Sequence, residues 1–199
     1  MRILVVGGAG YIGSHMVKLL GDRDTEVVTL DNLSTGHRDA VLGGEFIHGD
    51  IADLDLLDRL FGQGKFDAVM HFASFILVGE SVLDPAKYYR NNVVNTLNLL
   101  NAMAAHGVNR FIFSSSAAIF GEPESVSIDE RHVKNPINPY GKSKWMVEQI
   151  LADFDRAGLL GLLQDLYAAN KDNQTFLHAR ANLGDDVLKP YKTTINRWL

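Results

Sequence analysis

The first thirteen residues, MRILVVGGAGYIG, constrain the fold more than any other stretch, because an apolar run from Ile3 to Val6 breaks into glycines at 7, 8, 10 and 13. The pattern predicts a strand, a tight turn and the start of a helix. Gly7, Gly10 and Gly13 carry no Cβ, so the backbone can turn sharply, approach a bound group and pack the helix on the strand. Free N–H groups at the start of that helix, over Tyr11 and Ile12, suit a pyrophosphate, as does the positive end of its dipole. A Gly-rich turn alone fits a loop before a core helix equally well. Context decides: a second apolar run, Glu26–Leu30, ends in Asp31, about 20 residues past the glycines, where an acid accepts hydrogen bonds from an adenosine ribose. Together these signals read as a dinucleotide site. Asp31 favours NAD over NADP, since a carboxylate repels a 2′-phosphate.

The rest of the chain alternates strand and helix. Tyr11–Leu20 carries Ile12, Met16, Val17, Leu19 and Leu20 at helical spacing, and Gly21 is a stop. Asn32–Gly44 reads as a loop with a short helix, and Glu45–His48 as a third strand. Asp53–Phe61 reads as a helix with Asp53 as N-cap, and Phe66–Phe72 as a fourth strand. Pro85–Ala105 reads as one long helix with Tyr89, Val93, Leu97, Leu100 and Ala104 on its apolar face, followed by a fifth strand, Asn109–Ser114. The expected fold is α/β, a Rossmann-type doubly wound parallel sheet of about five strands with helices on both faces.

In such sheets ligands lie beyond the strand carboxyl ends at the switch point. Those ends read Gly7-Gly8, Asp31-Asn32, His71-Phe72-Ala73 and Ser114-Ser115-Ser116. His71 alone reads equally well as a satisfied core histidine, but its place on the shared edge favours function. Next, Pro139-Tyr140-Gly141-Lys142-Ser143-Lys144 opens a helix through Phe154. Tyr140 and Lys144 are four apart and stand on one helical face, where an ammonium lowers a phenol's pKa towards that of a general base.

Composition narrows the classes. With 199 residues, 46% hydrophobic and 22% charged, the chain suits one buried domain, or one domain plus an appendage. A formal charge of −5 and no basic, aromatic-interleaved cluster argue against a nucleic-acid partner. There is no cysteine, which fits a cytoplasmic protein, and the seven histidines show no metal-ligand spacing. The glycines interrupt any signal-peptide reading of the N-terminus, and nothing approaches the roughly 20 apolar residues of a membrane helix.

Taken together, these residues resemble the extended short-chain dehydrogenase/reductase superfamily and, within it, the NAD-dependent UDP-glucose 4-epimerases. The resemblance runs from Met1 to about Arg156. It rests on Gly7-x-x-Gly10-x-x-Gly13, Asp31-Asn32-Leu33-Ser34, Gly49-Asp50, His71-Phe72-Ala73, Tyr88-Tyr89, Asn91-Asn92-Val93, Phe113-Ser114-Ser115-Ser116 and Tyr140-x-x-x-Lys144. It implies that Asp31 and Asn32 hold the adenosine ribose, Asp50 and Ile51 lie by the adenine, and Phe72 and Ala73 line the pyrophosphate. Asn92 would brace the cofactor side, Ser114 would belong to the cofactor-binding set, Lys144 would contact the nicotinamide ribose, and Ser116 and Tyr140 would touch the sugar of a UDP-sugar substrate. Tyr140 would take the 4-hydroxyl proton while hydride passes to NAD, and the 4-keto sugar would turn over and receive hydride on its other face.

Two departures bear on the branch. Related dehydratases place acids after the fifth-strand serine, where this chain has Ala117-Ala118-Ile119-Phe120, which argues for the epimerases. Many epimerases place a lysine where this chain has Phe75-Ile76-Leu77. Beyond Arg156 the family pattern of a sixth strand and a substrate half stops. We expect a domain boundary at 157/158, with a helical tail over Gly158–Leu199 of truncated, rearranged or chimeric origin. The tail carries Leu159, Leu160, Leu162, Leu163, Leu166 and Tyr167 on one apolar face, a second helix over Asp172–Leu183 and a last one from Pro190. The leucine face is expected to cover the last strand and helix, within the chain or across a homodimer. An NAD-binding interaction or oligomerisation scaffold without catalysis remains the alternative reading, and a dehydratase or reductase a third.

Overall fold

A computed structural model of the chain describes residues 1–123, 128–129 and 131–169, with side chains given up to Phe154. The chain divides into two compact units, Met1–Glu148 and Gln149–Leu199. The first contains a five-stranded parallel sheet, in which β1 (Arg2–Val6), β2 (Glu26–Asp31), β3 (Glu45–His48), β4 (Ala68–His71) and β5 (Phe111–Phe113) stand in the order β3-β2-β1-β4-β5. Pairing is parallel throughout, with Val6 opposite both Leu30 and His71. The chain winds outwards from β1 in one direction through β2 and β3, then returns and winds the other way through β4 and β5. The switch point therefore falls between β1 and β4, next to the glycine turn.

β1 is covered on both faces, which is why its sequence runs apolar without alternation. Ile3, Leu4, Val5 and Val6 are all buried, each contributing about 1.5–3 kcal/mol relative to exposure. Helix α1 (Tyr11–Gly21) follows the turn, and α2 (Leu54–Gly64) begins where the Asp53 carboxylate accepts from Leu56 N–H at 2.9 Å. α2 packs on the later helix Asn95–Ala105, whose C-cap His106 has Nε2 2.8 Å from Asp58.

The expected single helix over Pro85–Ala105 is broken up. A short helix, α3 (Val78–Leu83), precedes it, and α4 (Pro85–Tyr89) passes through a π-helical stretch, Arg90–Val94, into α5 (Asn95–Ala105). The inserted residue of such a stretch shifts the face. The buried positions are Tyr88, Asn92, Thr96, Leu99, Leu100 and Met103, whereas Tyr89, Val93 and Leu97 are half-buried and Ala104 is exposed. Apolar periodicity misplaced this face because two of its members are polar and are satisfied by distant partners.

Strands β4 and β5 are shorter than expected, and a 3-10 turn, Ala117–Phe120, follows the serines. Helix α6 starts at Pro139 and continues unbroken to Ala169, through the expected junction at Gly158. The packing of Leu159, Leu163 and Leu166 and the helices expected over Asp172–Leu183 and from Pro190 lie outside the described residues and side chains.

Candidate functional site

The glycine turn is built by three backbone contacts at the end of β1. Gly7 N–H donates to Leu30 O at 2.8 Å, and Val6 O accepts from Phe72 and Ala73 at 2.8 and 3.2 Å. Gly10 N–H closes the turn onto Gly7 O at 3.2 Å. At Gly7, φ is +80° and a Cβ would collide with the Ala73 backbone; at Gly13, a Cβ would overlap the Gly7 carbonyl oxygen. Both glycines are therefore required by the protein's own packing. Gly10 differs: its φ is −76°, and a Cβ there would meet only Gly7 O at 3.4 Å. The space it leaves open belongs to the cleft. Tyr11, Ile12 and Gly13 open α1, so their N–H groups have no acceptor within the helix.

The cleft, about 570 Å³ including space open to solvent, runs across the carboxyl ends of β1, β2 and β4. Gly7, Gly10, Asp31, Asn32, Asp50, Ile51, Phe72 and Ala73 line it. The Asp31 carboxylate is buried and accepts from Ala9 N–H at 2.9 Å and Leu33 N–H at 2.8 Å. Its two oxygens thus fix the glycine turn and the next loop relative to β2, each with acceptor capacity left over. Asn32 Nδ2 donates to Asp50 Oδ2 at 2.7 Å, which joins the ends of β2 and β3 at the same edge. Thr35, Gly36 and Ser74 also line the cleft and were not singled out in the sequence, and Ser34, Phe75 and Asn91, named there only within motifs, line it too. All but Asn91, which lies in the π-helical stretch, sit in loops, where no periodicity marks them.

Tyr11, Ile12, Gly13, Asn92, Ser114, Ser116, Tyr140 and Lys144 are not part of the cleft wall. Five of them form or adjoin a second, hydrogen-bonded cluster. Lys144 is 3% exposed, donates from Nζ to Ser114 O at 3.0 Å and lies 4.7 Å from the Phe113 ring centre. Burial pushes its pKa down to about 8. Tyr140 N–H donates to Ser81 Oγ at 3.2 Å, and Tyr140 O accepts from Ser143 Oγ at 2.7 Å. Ser143 Oγ in turn accepts from Asn92 Nδ2 at 3.1 Å. Ser116 caps the 3-10 turn by accepting from Ala118 N–H at 3.2 Å. Asn92 links cluster and cleft, since its Oδ1 accepts from Phe75 N–H at 2.9 Å and its Nδ2 donates to Phe75 O at 3.0 Å. Ser81 and Ser143 were missed. Ser143 sits three residues past Tyr140 and Ser81 three past Val78, a spacing at which a hydroxyl turns back on a carbonyl, but nothing local marks the Ser81–Tyr140 contact.

His71 corrects the expectation drawn from its strand-end position. It is 1% exposed, beside the Phe111 and Phe113 rings, with Nε2 2.9 Å from Thr96 Oγ1. Thr96 gives its own proton to Asn92 O, so Nε2 carries the imidazole hydrogen. Burial, and secondarily the Lys144 charge, lower its pKa to about 3, which keeps it neutral. It is a core residue. Among the described residues, no cluster of three or more His, Cys, Asp or Glu is arranged to hold a metal, and no helix is long and apolar enough to cross a membrane.

The model of the NAD dependent epimerase/dehydratase family matches residues 3–183. The chain belongs to this family. The match continues past Arg156 into the stretch where the residues alone suggest no family. A UDP-glucose 4-epimerase of Rhizobium leguminosarum bv. trifolii is 51% identical over 158 residues, 79% of this chain and 48% of its own. One from Azospirillum brasilense is 51% identical over 153 residues, 76% of this chain and 44% of its own. A crystal structure of the Brucella ovis UDP-glucose 4-epimerase in complex with NAD has a TM-score of 0.77 at 50% identity, covering 78% of this chain and 48% of that one. This epimerase-family chain spans about half the length of the curated relatives it matches.

Proposed function

We propose that the cleft binds NAD and that Tyr140, Lys144 and Ser116 serve the interconversion of UDP-hexose 4-epimers. Gly10 carries the cofactor reading. Packing and backbone conformation permit a Cβ there, so the glycine is explained by what enters the cleft. The donor set suits a dinucleotide: unpaired helical N–H groups at Tyr11–Gly13 for the diphosphate, and Asp31, Asn32 and Asp50 for the adenosine end. Asp31 disfavours a 2′-phosphate in the same place. When bound, NAD supplies the hydride acceptor and donor at the sugar C4. Tyr140 takes and returns the 4-hydroxyl proton, Lys144 places its ammonium one helical turn away, and Ser116 orients the sugar. The relatives named UDP-glucose 4-epimerase support this assignment of substrate class.

Titrating the purified protein with NAD and then assaying UDP-galactose conversion tests both claims. Binding with conversion that Y140F abolishes supports the full reading; no NAD binding overturns it. Binding without conversion favours the second reading, a cofactor-binding scaffold that associates with itself. That reading draws on the edge strand β5, whose Ile112 is 52% exposed, and predicts homodimers in sedimentation. The absence of cysteine fits a cytoplasmic setting for either.

A further inference from the structure

Ser74 stands between two anchored neighbours. Before it, Ala73 N–H is tied to Val6 O at 3.2 Å and the Ala73 backbone closes on Gly7. After it, Phe75 has both its N–H and its carbonyl bound to the Asn92 side chain. The main chain through residue 74 is thus fixed on both sides while Ser74 lines the cleft. Its hydroxyl oxygen is shielded from water and has no hydrogen-bond partner. Such an atom is a net cost to a folded chain and needs a reason. Arg2 Nε, Thr29 Oγ1 and His71 Nδ1 share this condition among the described residues, but only Ser74 belongs to a cleft-lining residue.

We infer that Ser74 Oγ donates a hydrogen bond to a diphosphate oxygen of the bound dinucleotide. The inference rests on the NAD reading above. Ser74 follows directly on the residue that closes over Gly7, the first glycine of the turn, whereas Asp31 and Asp50 mark the adenosine end. A diphosphate offers only acceptors at neutral pH, and a serine hydroxyl has one donor, here unused. One rotation about χ1 carries Oγ between staggered positions, and turning it towards the cleft breaks no internal bond.

The test compares wild type with S74A, by calorimetric titration with NAD, ADP and adenosine and by thermal unfolding of the ligand-free protein. The expected result is about tenfold weaker binding of NAD and ADP, unchanged adenosine binding and a ligand-free Tm that is equal or higher. Unchanged NAD affinity overturns the inference, as does a lowered ligand-free Tm, which would reveal an internal partner for the hydroxyl. Weakened NAD but unchanged ADP overturns the diphosphate assignment in favour of the nicotinamide ribose. A wild-type protein that fails to bind NAD removes the underlying reading first, and is scored before any variant.

Discussion

Lys144 Nζ reaches across from α6 to the carbonyl of Ser114 at the end of β5, 3.0 Å away, and carries its charge into a site 3% exposed. The charged form loses hydration that one carbonyl and the Phe113 ring only partly replace, so burial lowers the pKa to about 8. Between that value and the ordinary lysine pKa the unfolded chain holds a proton that the folded chain lacks, so stability rises with pH. Wild-type urea midpoints are expected to climb from about pH 8 to pH 10, the total approaching about 2–3 kcal/mol. Lys144→Met should flatten that window. The range stops short of Tyr88, whose phenol burial and Glu80 push up to about 12. A wild-type curve without the climb would mean that Lys144 is hydrated.

His71 sets the opposite end of the pH range. Its folded pKa of about 3 lies below the ordinary value of 6.5, so on acidification the unfolded chain takes up the proton first. Stability present at neutral pH is then lost as pH falls, by about 1.4 kcal/mol per unit at most. His71→Gln, which keeps a donor for Thr96, should show a shallower loss than wild type between pH 6.5 and 5, above the range where most carboxylates titrate. Parallel urea midpoints for the two proteins measure the difference. Equal slopes would place the imidazole in contact with water.

The parts of the site that were readable in the sequence are those whose chemistry is local. The glycine spacing, Asp31 at the end of its strand, the Asp53 cap and the i, i+4 pair of Tyr140 and Lys144 each follow from neighbours within a turn or a strand. What escaped depends on partners far along the chain. Ser81 and Tyr140 are 59 residues apart, and Asn92 and Ser143 are 51 apart. Asn92 and Thr96 occupy a buried helical face that an apolar count assigns to other residues, because the π-helical stretch shifts the face and hydrogen bonds replace apolar contact. His71 misled for the converse reason: a strand end is a place in the topology, and it does not say on which side of the sheet the side chain is covered.

Gly10 and Gly13 separate binding from folding. Gly13→Ala puts a Cβ onto the Gly7 carbonyl, a backbone atom held by Gly10 N–H, so neither partner can yield cheaply. A loss of about 2–4 kcal/mol is expected in chemical unfolding. The Cβ of Gly10→Val meets only one backbone oxygen at ordinary contact distance, and stability is expected to stay within about 1 kcal/mol of wild type. Its NAD affinity should fall by more than tenfold. Equal NAD affinity in Gly10→Val would detach the glycine from the ligand.

Asn92 gives the most demanding case, because one amide serves four groups. Its Oδ1 accepts from Phe75 N–H and Asn91 Nδ2, and its Nδ2 donates to Phe75 O and Ser143 Oγ, all at a site 2% exposed. Asn92→Ala leaves the Phe75 main chain without these partners and should cost about 2–4 kcal/mol. Asn92→Asp is nearly the same shape and keeps the acceptor for Phe75 N–H, but its second oxygen then faces the Phe75 carbonyl. Ionised, that carboxylate is repelled and desolvated; protonated, it can donate as the amide did. Its folded pKa should therefore lie above the unfolded value, so the variant recovers stability on acidification and loses it as pH rises through the folded pKa. Unfolding of Asn92→Asp relative to wild type at pH 5 and pH 7.5 measures this, with a smaller deficit expected at the lower pH. A deficit independent of pH would show that the amide's donor to Phe75 contributes little, and that the loop bearing Phe75 is held by packing against Tyr88 and Lys87 instead.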